Sequence, residues 1–102
     1  MVYIFYMHTL IQTERYRQWF ARLKDARAQA RIKARLRRVE LGVLGDCKSV
    51  GEGVSELRID YGPGYRLYFV QRGYEVIVLL AGGDKSTQAA DIRSAIRLAR
   101  EL

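Results

Sequence analysis

Apolar residues follow two spacings along this chain, and the change from one to the other marks out its elements. Val2 to Tyr6 is aromatic and β-branched, which predicts a first strand. From about Thr13 the spacing turns helical: Tyr16, Trp19, Phe20 and Leu23 fall at i, i+3, i+4 and i+7. After a break near Asp25, Ile32, Leu36 and Val39 repeat the stripe in a second helix, which Gly42 can end by taking a positive φ. Four glycines (Gly42, Gly45, Gly51, Gly53) then punctuate a looser stretch, with a short strand expected at Cys47–Val50.

Strict alternation returns from Val54 to Tyr61. Leu57, Ile59 and Tyr61 share one face, and Glu56, Arg58 and Asp60 share the other. The run YGPGY (61–65) is a turn signal, and beyond it Tyr65, Leu67 and Phe69 oppose Arg66 and Tyr68. Pairing Tyr61 with Tyr65 sets Ile59 against Leu67 and Leu57 against Phe69, with Arg58 across from Tyr68 and diagonal to Arg66. Arg72-Gly73 permits a second hairpin into EVIVLLAG, read as a buried central strand. With Gln71 against Tyr74, Phe69 meets Val76 and Leu67 meets Val78. Lys85 then emerges near Arg66, which predicts a cluster of Arg58, Arg66 and Lys85 fit for an anion. A last helix starts near Ser86–Thr87, either one a possible N-cap, with Ile92, Ile96 and Ala99 as its apolar face. The pattern predicts one α+β domain over residues 1–102: an N-terminal strand and a helical hairpin packed on an antiparallel sheet, with a C-terminal helix.

Composition narrows the partners. At 102 residues the chain hides roughly 60–70% of its unfolded surface, enough for one core. Eighteen Lys and Arg against eleven Asp and Glu give a formal charge of +7, which points to nucleic acid, an anionic membrane or an acidic protein. Between Arg22 and Arg38 stand eight cations and one acid, Asp25. A solvated helix face usually mixes signs, so Arg31, Arg35 and Arg38 read as a surface for a polyanion. Membrane attachment fits poorly, because the apolar faces are committed to a core. MVYIFYMHTLI is too short to span a bilayer and lacks the marks of a signal peptide, so a cytoplasmic protein is expected. Cys47 is the sole cysteine and His8 the sole histidine; neither disulfide nor zinc site is expected, nor any metal or cofactor. GGDKST fails as a phosphate loop because Asp84 stands where glycine belongs, and GEGVSE fails as a dinucleotide fingerprint at Glu56.

GDCKSVGEGVSELRIDYGPGYRLYF and VLLAGGDKSTQAADIRSA resemble the RelE/ParE toxin superfamily, and within it the HigB-like addiction-module branch. The pairing of G-x-G-V-x-E-L-R with G-P-G-Y-R and G-G-D-K-x-x-Q carries the likeness, which runs from about Trp19 to the C-terminus. It implies a toxin of a type II toxin–antitoxin pair, neutralised in a hetero-oligomer by a helix-turn-helix antitoxin. It further implies cleavage of mRNA on the ribosome, with Arg58, Arg66 and Lys85 around the scissile phosphate. Lys48 and Tyr68 are weaker candidates for contact with RNA. Some ribonuclease members carry a C-terminal tyrosine or histidine as acid or base, and this chain has neither after Lys85. Tyr65 and Tyr68 are the nearby substitutes, although Tyr65 faces the core. Two alternatives therefore stay open: a ParE-like gyrase poison that cuts nothing, and a basic module that only binds nucleic acid or its partner.

Overall fold

Thr13 opens the first helix for a physical reason. Its hydroxyl accepts from the Tyr16 amide and reaches back to the carbonyl oxygens of Leu79 and Leu80, 2.8 and 3.0 Å away, pinning the helix start to a strand. The computed structural model describes residues 7–102. Its order is β1 (Thr9–Gln12), α1 (Glu14–Ala21), α2 (Ala26–Glu40), β2 (Cys47–Gly51), β3 (Val54–Ile59), β4 (Tyr65–Arg72), β5 (Val76–Asp84), a 3-10 turn (Lys85–Thr87) and α3 (Gln88–Arg100).

Asp25 caps α2 by accepting from the amides of Arg27 and Ala28. Gly42 closes it at φ 91°, with its amide on Val39 O and the Val43 amide on Arg38 O, the paired bonds of a Schellman end. The expected strand at Val2–Tyr6 lies outside the described residues. The described β1 comes later and runs parallel to β5 in a five-stranded sheet ordered β1-β5-β4-β3-β2. The other pairings are antiparallel, as expected. Helices α1 and α2 cover one face, over Leu57, Ile59, Tyr65, Leu67, Phe69, Ile77 and Leu79. Helix α3 covers the other, over Val54, Tyr68, Val70, Val78, Leu80 and Ala81.

Two expected registers are corrected. The ladder between β3 and β4 closes at Ile59–Tyr65, because Asp60–Gly64 all belong to the turn, with the Gly64 amide on Tyr61 O. Leu57 therefore opposes Leu67 and Arg58 opposes Arg66. This two-residue slip leaves every face unchanged. The second hairpin closes at Arg72–Val76, an odd shift that turns the pairing over: Phe69 opposes Leu79 and Val70 opposes Val78. Leu80 is an extra residue between the pairs Phe69–Leu79 and Tyr68–Ala81, so Leu80 and Ala81 both serve the α3 face.

Candidate phosphate-binding site

The closing turn of β3 and β4 decides the geometry of the cations. Arg58 and Arg66 are direct cross-strand partners on the α3 face, just beyond where that helix begins. Lys85 follows β5 as the first residue of the 3-10 turn. It lies along Gly64, where a Cβ would sit 3.0 Å from Lys85 Cγ and Cε; that glycine also holds φ 80°, so a side chain there is excluded twice. Arg58, Arg66 and Lys85 thus line one cleft of about 330 Å³, with Asp46, Asp60 and the 62–64 turn completing its wall. Asp84, whose charge would oppose an anion, accepts from the amide and hydroxyl of Ser86 and is not among the lining residues.

Two guanidinium groups directly opposite one another repel. What holds them is Glu56, two residues before Arg58 and fully buried. Its Oε1 accepts from Arg58 Nε at 3.0 Å and lies 3.7 Å from Arg66 Nε, while Oε2 accepts from Gln88 Nε2 at 2.8 Å. Tyr68 sits across the ladder from it, its hydroxyl beside the carboxylate without a well-aligned bond. Burial pushes the Glu56 carboxyl up; Gln88, Arg58, Tyr68 and Arg66 pull it down and prevail, so it lies below the ordinary carboxylate range. Charge and spacing single out only the cations of the two motifs. Yet the E of V-x-E-L-R and the Q of G-G-D-K-x-x-Q are the two residues that meet here.

The remaining candidates divide. Arg66 is 8% exposed, not the solvent-facing side chain that alternation suggests, because α3 roofs that face. Tyr68 is wholly buried under the same helix and is not among the residues lining the cleft; burial raises its phenol, as does Glu56 beside it. Tyr65 is in the opposite core against the Trp19 ring, as its alternation predicts. Lys48 is exposed on the edge strand β2, paired with Glu56 and outside the cleft lining. Arg31 and Arg38 are exposed on α2, Arg31 lying 4.7 Å over the Tyr61 ring. They flank a shallow depression that reaches Ile59 and Asp60, and those two residues also line the cation cleft. Arg35 is engaged elsewhere: its guanidinium donates to the carbonyls of Leu44, Asp46 and Arg58 and ties α2 to the strands.

A mixed sheet with a helical hairpin on one face and a C-terminal helix on the other is the fold of the RelE toxins. A variant of the Escherichia coli toxin RelE in the free state superposes with a TM-score of 0.72 at 17% identity, covering 94% of this chain and 99% of that one. Residues 18–102 match the family described as phage-derived protein Gp49-like, and the chain belongs to that family, one of the RelE/HigB type of toxin. An uncharacterized protein of Haemophilus influenzae is 51% identical over 84 residues, 82% of this chain and 85% of its own length.

Proposed function

We propose that this protein is the toxin of a type II toxin–antitoxin pair and that it cleaves mRNA on the ribosome. The observation that carries the reading is the convergence of Arg58, Arg66 and Lys85, from three separate elements, on one cleft. The 2′-hydroxyl of RNA attacks the adjacent phosphorus and forms a 2′,3′-cyclic phosphate as the bond to the 5′ oxygen breaks and that oxygen takes a proton from solvent, so charge grows on the non-bridging oxygens and on the leaving 5′ oxygen. Two guanidiniums and an ammonium answer that charge; arginine does so through paired hydrogen bonds, lysine as a point charge. Among the described residues no phenol or imidazole lines the cleft, and the 2′-hydroxyl proton goes to a carboxylate on its wall, Asp46 or Asp60. A carboxylate is a weak general base, and positioning on the ribosome contributes the rest. The basic face of α2, through Arg31 and Arg38, docks on ribosomal RNA, and Lys48 extends that contact from β2. In the resting cell the toxin is held in the cytoplasm by a helix-turn-helix antitoxin.

Mapping mRNA 5′ ends after a brief induction without the antitoxin tests this. New ends within translated codons are expected, together with a fall in amino-acid incorporation that precedes any fall in DNA synthesis. Gyrase-trapped DNA breaks with intact mRNA would put the ParE-like reading in its place, which the missing C-terminal His or Tyr favours.

A further inference from the structure

The buried Glu56 is not needed to bind a phosphate; at first sight it opposes one. A carboxylate behind two cations lowers the positive potential of the cleft. Yet it is fully buried, one oxygen accepts from Arg58 Nε and stands 3.7 Å from Arg66 Nε, a buried group without a hydrogen-bond partner among the described residues, and the other oxygen is fixed by Gln88 from the first turn of α3. Both guanidiniums turn their Nε edge towards it. Occupying that edge leaves the terminal Nη groups of Arg58 free for the cleft. Arg66 Nη1 makes only long contacts, 3.5 and 3.3 Å, with the carbonyls of Gly64 and Tyr65, which a phosphate oxygen can displace. Without the carboxylate, two like charges directly opposite on the ladder would swing apart.

We infer that Glu56 is a positioning residue: anchored by Gln88, it holds the Arg58 and Arg66 forks at one fixed spacing, matched to the phosphate as charge develops on it. This rests on the reading of the cleft as an RNA phosphate site. Its signature is a split between binding and catalysis. Glu56→Gln keeps the shape of the side chain but removes the charge, so the cleft becomes more positive while the forks lose their alignment. Binding of a short RNA with a 2′-deoxy nucleotide at the cut site, which cannot be cleaved, should be unchanged or tighter. The single-turnover cleavage rate at saturation should fall about 10–100-fold, the usual cost of misplacing a reacting group by about an ångström. Gln88→Ala should move both readouts the same way, but less. Glu56→Asp restores the charge without the reach and should recover little of the rate.

The wild-type protein gives the spectroscopic control. The Nε–H protons of Arg58 and Arg66 should appear in 15N spectra as slowly exchanging signals, and both should lose protection in Glu56→Gln. Cleavage at the wild-type rate by a folded Glu56→Gln protein with unprotected arginines would overturn the inference. So would weaker binding of the uncleavable RNA with the cleavage rate preserved, since Glu56 would then serve ground-state binding alone. If the wild-type protein cuts no RNA, the proposed function fails by itself. The Nε protection and the sign of the binding change still decide whether Glu56 sets the forks.

Discussion

The two faces of one sheet are built on opposite principles. Under α1 and α2 the buried strand residues include Leu57, Ile59, Leu67, Phe69, Ile77 and Leu79, with aromatic rings of Tyr16, Trp19 and Tyr65 against them and, among the described residues, no buried ionised group. Under α3 the sheet buries Glu56 and Arg66 alongside valines and alanines. Burying a charge costs several kcal/mol before its partners offset it, about break-even against a well-packed apolar alternative. A face that accepts such a cost at one end only, where the cleft opens, is arranged for something other than stability. Both faces bury an apolar core, and only the α3 face also buries an ion cluster, beside the proposed phosphate site.

The sharpest way to break that division is to damage the apolar face and ask whether chemistry follows. Leu57→Ala removes a fully buried side chain and should cost about 2.7–5 kcal/mol of unfolding free energy, read by urea melts. Cleavage per folded molecule should stay near the wild-type value, since Leu57 points away from Glu56 and Arg58. A parallel loss of activity in the folded fraction would show that the two faces are not separable.

Arg66→Ala is the reverse experiment. Removing a guanidinium that meets the developing charge should slow cleavage by about 100-fold or more, near 2.7–4 kcal/mol of barrier. Because Arg66 is buried beside Glu56, the substitution also carries a folding cost of about 1–3 kcal/mol, so rates must be normalised to folded protein. Arg66→Lys should recover only part of the rate, because an ammonium cannot form the paired contact. A folded Arg66→Ala protein with wild-type kinetics would remove the site.

How much of this contrast the chain discloses depends on the range of the interaction. The helices and the faces of β3 and β4 are legible because both follow from spacing within a few residues: Tyr16, Ile32, Leu36 and Val39 are all buried as the stripes require, whereas β5, a continuous apolar run, has its faces inverted by the odd shift. Registers are less legible. Alternation states which face a residue takes but not its partner, and partners here depend on a five-residue turn at 60–64 and on the extra Leu80. Least legible is the burial of Glu56, Arg66 and Tyr68, which depends on α3 folding back over a face that reads as polar. The three cations are visible through the motifs they belong to, whereas the direct opposition of Arg58 and Arg66 depends on the register and is hidden with it.

Acid tests the same contrast more gently. The Glu56 carboxyl is depressed in the folded chain, so its stabilisation is complete above the usual glutamate value of about 4.3 and fades as pH falls through the lower folded value. Wild-type stability should therefore decline below about pH 4 with a steeper slope than that of Glu56→Gln. Subtracting the two curves removes contributions common to both, including that of Asp25, whose carboxyl is lowered chiefly by its capping bond to the Ala28 amide. Identical slopes would mean that the Glu56 carboxyl titrates alike in the folded and unfolded chain, and the ion cluster would lose its centre.

The smallest effect should come from the surface that neither face buries. Arg31 and Arg38 are exposed on α2 and flank the depression leading to Asp60, whereas Arg35 between them is tied to three backbone carbonyls. The three read alike in the sequence and should behave differently. Reversing Arg31 and Arg38 to Glu should leave stability within about 1 kcal/mol, the loss coming mainly from the exposed Arg31–Tyr61 contact. Every cation withdrawn from an RNA phosphate lowers the slope of log affinity against log salt by roughly 0.7–0.9, so ribosome binding should weaken and its salt dependence flatten by about 1.4–1.8. Arg35→Ala should do the opposite: about 1–3 kcal/mol less stability as its hydrogen bonds disappear, discounted for partial exposure, and little change in the slope. A salt slope that moves with Arg35 and not with Arg31 and Arg38 would place the polyanion on another surface and leave the charge of α2 as solvation.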